Sequence, residues 1–183
     1  MLPVSHPQVP IIGATFQIVD RQSIGNFNIS GDWAVLNDDT ANQGNSNNHI
    51  LGSLSLEFDK VNGSTNGTTA MMDSTIAEID LRRFTQDARI LSALYISSVS
   101  KILSAFIKLG TDSSNYNLWS FPVSGLVAGV WNELSKKLSE TGQSVTGAGI
   151  NLAAVTYIAV GATFGAEADV LADMRWDNVH IVS

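Results

Sequence analysis

Along Met174-Arg175-Trp176-Asp177-Asn178-Val179-His180-Ile181-Val182 the side chains alternate between the two sides of an extended chain. Arg175, Asp177, Val179 and Ile181 fall on one side, and Met174, Trp176, Asn178 and His180 on the other. A two-residue period is the mark of a β-strand, because successive Cβ atoms point to opposite faces of a sheet. A strand that ends a chain is expected inside a sheet, since a free terminal strand would fray. The same period recurs upstream. In Gly52 to Phe58, Leu54, Leu56 and Phe58 oppose Ser53, Ser55 and Glu57. In Val155 to Phe164, Ile158, Val160, Ala162 and Phe164 share a side, with small residues opposite.

Further short strands are expected at Asn26 to Ile29, Trp33 to Leu36, Thr68 to Met72, Ser74 to Ile79, Lys101 to Leu109, Tyr116 to Phe121 and Val130 to Leu138. Ile90 to Ile96 is apolar on both faces, as a central strand would be. Between them lie turn residues: Asn62-Gly63 and Asn66-Gly67, the segment Gly110 to Asn115, and a polar Gly- and Asn-rich stretch, Asn37 to Asn48, expected to cap one end of the fold as a loop. Only Leu81-Arg82-Arg83-Phe84 suggests a helical turn. The pattern predicts an all-β protein, an antiparallel β-sandwich of jelly-roll type over residues 25–183.

Residues 1–24 differ. Pro3, Pro7 and Pro10 punctuate an apolar run containing Leu2, Val4, Val9, Ile11 and Ile12. Proline removes backbone donors and favours extended backbone, so this segment reads as an extended N-terminal arm. Its apolar side chains need cover, either from their own domain or from a neighbouring chain, since a sheet edge in either place accepts an extended strand.

Composition narrows the function classes. The 183 residues are 44% hydrophobic and 15% charged, enough apolar material for one core. Ten basic against 17 acidic residues give a net charge of -7, which argues against a nucleic-acid partner and against an anionic membrane surface. The absence of cysteine excludes disulfides, thiolate metal sites, iron–sulfur ligation and thiol nucleophiles. Met1 to Pro7 lacks the basic and apolar regions of a secretion signal, so synthesis in the cytoplasm is expected. Leu152 to Ala166 is too short and too interrupted to span a bilayer.

No catalytic constellation stands out. Asp38-Asp39, Glu78/Asp80 and Glu167/Asp169 are local carboxylate pairs, whereas a glycosidase pair flanks a cleft from separate strands. His6, His49 and His180 lack metal-ligand spacing, and no nucleophile elbow or phosphate-binding loop is present. The chain reads as non-enzymatic, with no cofactor and no committed metal. Saccharide recognition needs an aromatic face beside hydrogen-bonding groups. Trp33, Tyr95, Tyr116, Trp119, Trp131 and Tyr157 are the candidates, and burial in a core is the commoner fate of such side chains. Tyr116 is the chosen glycan contact, because it follows a polar loop and fits a rim.

Three segments resemble jelly-roll modules of the carbohydrate-binding and galactose-binding-like superfamily: Gly31-Asp32-Trp33-Ala34-Val35, Gly52 to Lys60, and Arg175-Trp176-Asp177-Asn178-Val179. The middle, Leu109 to Trp119 and Gly129 to Leu134, resembles a variant of that module in bacteriophage structural proteins. The resemblance spans roughly residues 26 to 182 and implies a jelly roll. It also points to Asp177, with Asp20 or Asp32, as ligands of a structural calcium. It implies a virion protein on the capsid surface: a decoration or cement protein, perched on the major capsid protein or another virion protein as a homo-oligomer, with the arm as its grip. The alternative is a carbohydrate-binding or adhesin module that recognises a cell-surface glycan.

Overall fold

A computed structural model describes residues 20–63, 67–84, 87–140 and 144–183. The arm residues Leu2, Val4, Val9, Ile11 and Ile12 lie outside the described residues. Among the described residues the strands are β1 (Arg21–Ser23), β2 (Ala34–Val35), β3 (Thr40–Ser46), β4 (Ser55–Lys60), β5 (Thr69–Ile79), β6 (Arg89–Tyr95), β7 (Ile102–Asp112), β8 (Asn115–Pro122), β9 (Trp131–Lys137), β10 (Ser144–Thr146), β11 (Val155–Phe164) and β12 (Leu171–Val182). They form two sheets, one ordered β3-β4-β12-β6-β9 with β1 also on β12, the other β10-β8-β7-β11-β5-β2. Every pairing between them is antiparallel. The fold is the expected antiparallel β-sandwich.

The alternation read from the sequence builds its core. Ile158, Val160, Ala162 and Phe164 of β11 face Leu56 and Phe58 of β4 and Ile90 and Leu94 of β6 in one buried cluster with Trp33, Trp119 and Trp176. The C-terminal strand is interior, as expected: β12 pairs with β6 along one edge and with β4 and then β1 along the other.

Several local expectations change. Strict alternation along β12 breaks at Asn178, whose φ of 59° marks a bulge between Asp177 and His180 in the pairing with β6. Asparagine tolerates this left-handed conformation better than most residues. The bulge shifts the phase, so Met174 and Trp176 face the core together with Val179 and Ile181 rather than with His180. The polar stretch expected as a loop contains β3, which pairs with β4 through its backbone and needs no apolar side chains because it is an edge strand. Asn26 to Ile29 is not a strand, the two segments at Thr68 to Ile79 are one strand, and Leu81 to Phe84 is a turn closed by Phe84 N–H donating to Leu81 O at 3.0 Å. Arg21–Ser23, read as arm, add to the sheet, and Ile24 is fully buried in the core.

One end of the sandwich is closed by a buried charge. Lys60, at the end of β4, places its ammonium 3.1 Å from Asp39 Oδ1, with both side chains fully buried. It also donates to Val61 O at 2.6 Å and Glu167 O at 2.9 Å. Three crossovers are thereby tied to one cation.

Candidate functional site

The outer face of the β10-β8-β7-β11-β5-β2 sheet carries residues in cross-strand rows. In one row Thr146, Tyr116, Gly110, Tyr157 and Thr75 stand side by side on β10, β8, β7, β11 and β5. In the next row Ser144, Leu118, Lys108, Ala159, Asp73 and Ala34 follow, and beyond it Ser120, Phe106, Gly161 and Met71. Each of these rows lies on the side opposite Ile107, Ile158 and Val160 of the core.

Burial separates this face from an ordinary solvated one. Phe106 is 3% exposed, Tyr157 4% and Ala159 0%, yet none belongs to the cluster between the sheets. They form a buried floor on this outward face. Glycine makes the close packing possible. A Cβ at Gly161 would stand 2.8 Å from Phe106 Cζ and closer still to Ala70 O, and a Cβ at Gly110 would stand 2.7 Å from Tyr116 Cα. Without side chains there, Phe106 lies across β11 and the Tyr116 and Tyr157 rings approach across β7 to 6.3 Å between centroids, tilted by 37°.

Polar groups rim the aromatic floor. The Lys108 ammonium lies 4.5 Å from the Tyr116 ring centroid and 5.5 Å from that of Phe106, a cation held over two π faces. Thr146 and Lys108 beside the Tyr116 hydroxyl lower its pKa against burial. Burial, with the negative charge of Asp73 nearby, pushes the Tyr157 phenol up. Burial likewise raises the Asp73 carboxyl, with Tyr157 and Lys108 opposing it. Asp112, at the end of β7, is held low by the Ser114 amide and the Asn115 side chain. The face thus offers aromatic rings, one donor cation and one half-buried carboxylate within a few strand widths.

Sequence reasoning singled out Tyr116, and the structure places it on this face, half-buried. Tyr157 was weighed only as one aromatic among six; pairing through Gly110 is what brings it beside Tyr116. Lys108 and Asp73 were not foreseen, because their isolated charges carry no local signal and converge only through register. Trp33 and Trp119 are core, while Tyr95 and Trp131 lie half-buried on the opposite face. The calcium set does not assemble. Asp177 Oδ2 accepts the Ile50 and Leu51 amides, both at 2.8 Å, so its carboxylate meets donors where a cation would need further oxygens. Asp20 pairs with Arg83 at 2.9 Å. Among the described residues no three His, Cys, Asp or Glu side chains gather as a metal cage.

Comparisons with known proteins define the class at the level of fold. No protein-family model matches the chain, and no curated protein matches it in sequence. Solved structures do. A family 11 carbohydrate-binding module from Clostridium thermocellum, in complex with a β-1,3-1,4-mixed-linked tetrasaccharide, aligns over 88% of this chain and 94% of its own, with 9% identity and a TM-score of 0.56. An exo-β-agarase aligns over 87% of this chain but 25% of its own, with 12% identity and a TM-score of 0.57. A family 28 module specific for non-crystalline cellulose aligns over 86% and 91%, with 12% identity and a TM-score of 0.50. The chain therefore has the jelly-roll fold of carbohydrate-binding modules.

Proposed function

We propose that this protein is a carbohydrate-binding module whose ligand lies across the outer face of the β10-β8-β7-β11-β5-β2 sheet. The observation that carries the reading is the Tyr116–Gly110–Tyr157 row: the half-buried Tyr116 ring lies 6.3 Å from the buried Tyr157 ring, with Lys108 and Asp73 beside them on the same outward face. An aromatic face packs on the C–H surface of a pyranose, while a donor cation and a carboxylate address its hydroxyls. Saccharide chains are extended, and residues laid in rows across five strands present an extended surface. The fold shared with modules that take a mixed-linked glucan and non-crystalline cellulose gives the same direction.

The proposed role is binding alone, without cleavage; Asp112 is held by the Ser114 amide and the Asn115 side chain. A role as a capsid decoration protein rests on the resemblance of Leu109 to Trp119 and Gly129 to Leu134 to phage modules. It rests also on the apolar arm, which lies outside the described residues. The structural neighbours support the glycan-binding reading instead.

Affinity electrophoresis and calorimetry test the proposal. Mixed-linked β-glucan, amorphous cellulose, xylan and agarose serve as ligands, with wild type beside Tyr116→Ala. At least one polysaccharide is expected to bind, and the variant to lose about tenfold or more in affinity, the scale of an interface anchor. Binding that is indifferent to Tyr116 would remove the site; silence across the panel would remove the function.

A further inference from the structure

The opposite face of the sandwich holds an aromatic recess, built from other residues. On β12, β6 and β9 the outward rows run Arg175, Tyr95, Trp131, then Asp177, Ala93, Glu133, then His180, Leu91, Ser135. Trp131 is fixed on two sides. Its Nε1–H donates to Asn48 Oδ1 at 2.9 Å, and its ring meets Tyr95 edge-on, centroids 6.0 Å apart and planes at 60°. Tyr95 is itself covered by Arg175, 4.7 Å from its centroid, and Arg175 is paired with Glu57. The indole is therefore preorganised, the condition that lowers the ordering cost of binding.

Trp131 lines a recess of about 430 Å3 together with Ile50, Leu91, Ala93, Glu133 and His180. Ser92, Asn132 and Asn178 also line it, and two of its polar groups, His180 and Glu133, offer acceptors. His180 Nδ1 lies 3.0 Å from Asn178 O, and because a carbonyl only accepts, that nitrogen carries the proton. Burial holds the imidazole towards its neutral form, which leaves the Nε2 lone pair as an acceptor. The Glu133 carboxylate is exposed and forms no ion pair among the described residues. The complementary ligand has an apolar C–H face for the indole and carries hydroxyls that can donate to Glu133 and His180.

We propose that this recess is a second saccharide-binding site, sized for a single pyranose unit and centred on Trp131, Glu133 and His180. It shares no residue with the tyrosine face, so either site stands without the other. Two sites on opposite sheets would let one module bridge neighbouring glycan chains and gain avidity on a polymer surface.

The test uses the full chain, 15N-labelled, titrated with methyl glycosides of glucose, galactose and mannose, cellotetraose, xylohexaose and the mixed-linked tetrasaccharide. The Trp131 indole N–H signal is assigned by its loss in Trp131→Phe. At least one probe is expected to shift that signal in wild type and equally in Tyr116→Ala. Glu133→Ala, at an exposed position where folding is not at stake, is expected to weaken that response about tenfold, the scale of a hydrogen bond to a charged group. Probes that move Tyr116 and Tyr157 but never Trp131 would overturn the second site alone. Trp131 shifts that vanish in Tyr116→Ala would also overturn it, since they would report the first site at a distance. No response at either face would overturn both readings.

Discussion

Replacing Lys60 by methionine tests how the sandwich end is held. The substitution keeps an unbranched apolar stem and removes the ammonium, which is fully buried with Asp39 and donates to Val61 O and Glu167 O. Asp39 Oδ1 keeps the Gly63 amide at 3.1 Å but loses its cation, and two carbonyls lose a donor. Removing one member of a buried pair costs about 3–5 kcal/mol, because the remaining charge stays desolvated. At roughly 2–4 °C per kcal/mol for a chain of this size, the thermal midpoint should fall by about 6–20 °C. Calorimetric or fluorescence-detected melting reads the effect directly. Arg82→Met supplies the contrast: its pair with Asp80 lies in water, with side chains 68% and 49% exposed, and the midpoint is expected not to move. A Lys60→Met midpoint within about 2 °C of wild type would refute the reasoning, showing that the pair is worth no more than a solvated one.

Other positions yield sharper local expectations. Gly161→Ala places a methyl against Ala70 O and Phe106 Cζ, so overpacking should cost about 1–3 kcal/mol in chemical denaturation and weaken saccharide binding by displacing the Phe106 floor. Asp177→Ala leaves the Ile50 and Leu51 amides without their acceptor in a partly buried setting; a loss of about 1–3 kcal/mol is expected, with faster amide exchange at both residues. His180 has a lowered folded pKa, caused first by burial, with Arg21 adding to it and the Asn178 carbonyl and Glu133 opposing. A depressed folded value means that its contribution to stability is complete above the ordinary imidazole value of about 6.5 and is lost as pH falls through the folded value. Denaturation profiles between about pH 4 and 8 should therefore fall with acid more steeply in wild type than in His180→Asn.

Much of the fold was legible because its signal is local. Leu56 and Phe58, and Ile158 through Phe164, alternate in the chain and pack in the core as that alternation requires. What failed to show was non-local or rare in sequence. β3 is Thr-Ala-Asn-Gln-Gly-Asn-Ser, and an edge strand held by backbone hydrogen bonds leaves no apolar trace. The Asn178 bulge rephases β12 by one residue, and nothing in Asp177-Asn178 distinguishes a left-handed strand residue from a turn. The site was half visible. Tyr116 follows a hairpin turn and could be picked out, but its neighbours Lys108, Tyr157 and Asp73 come from three other strands. Only the register through Gly110 and Ala159 puts them together, and register is fixed by the packing of both faces rather than by any one segment.

The most direct measurement of the account is the ring resonances of Tyr116 and Tyr157 while the chain is titrated with the polysaccharide fragment that it binds best. Saturable shifts of both rings, with the Lys108 side chain following and the same midpoint as the calorimetric titration, are the predicted result. Saturable binding that leaves both rings unmoved would place the ligand elsewhere and contradict the claim that this sheet face is what the fold is built to present.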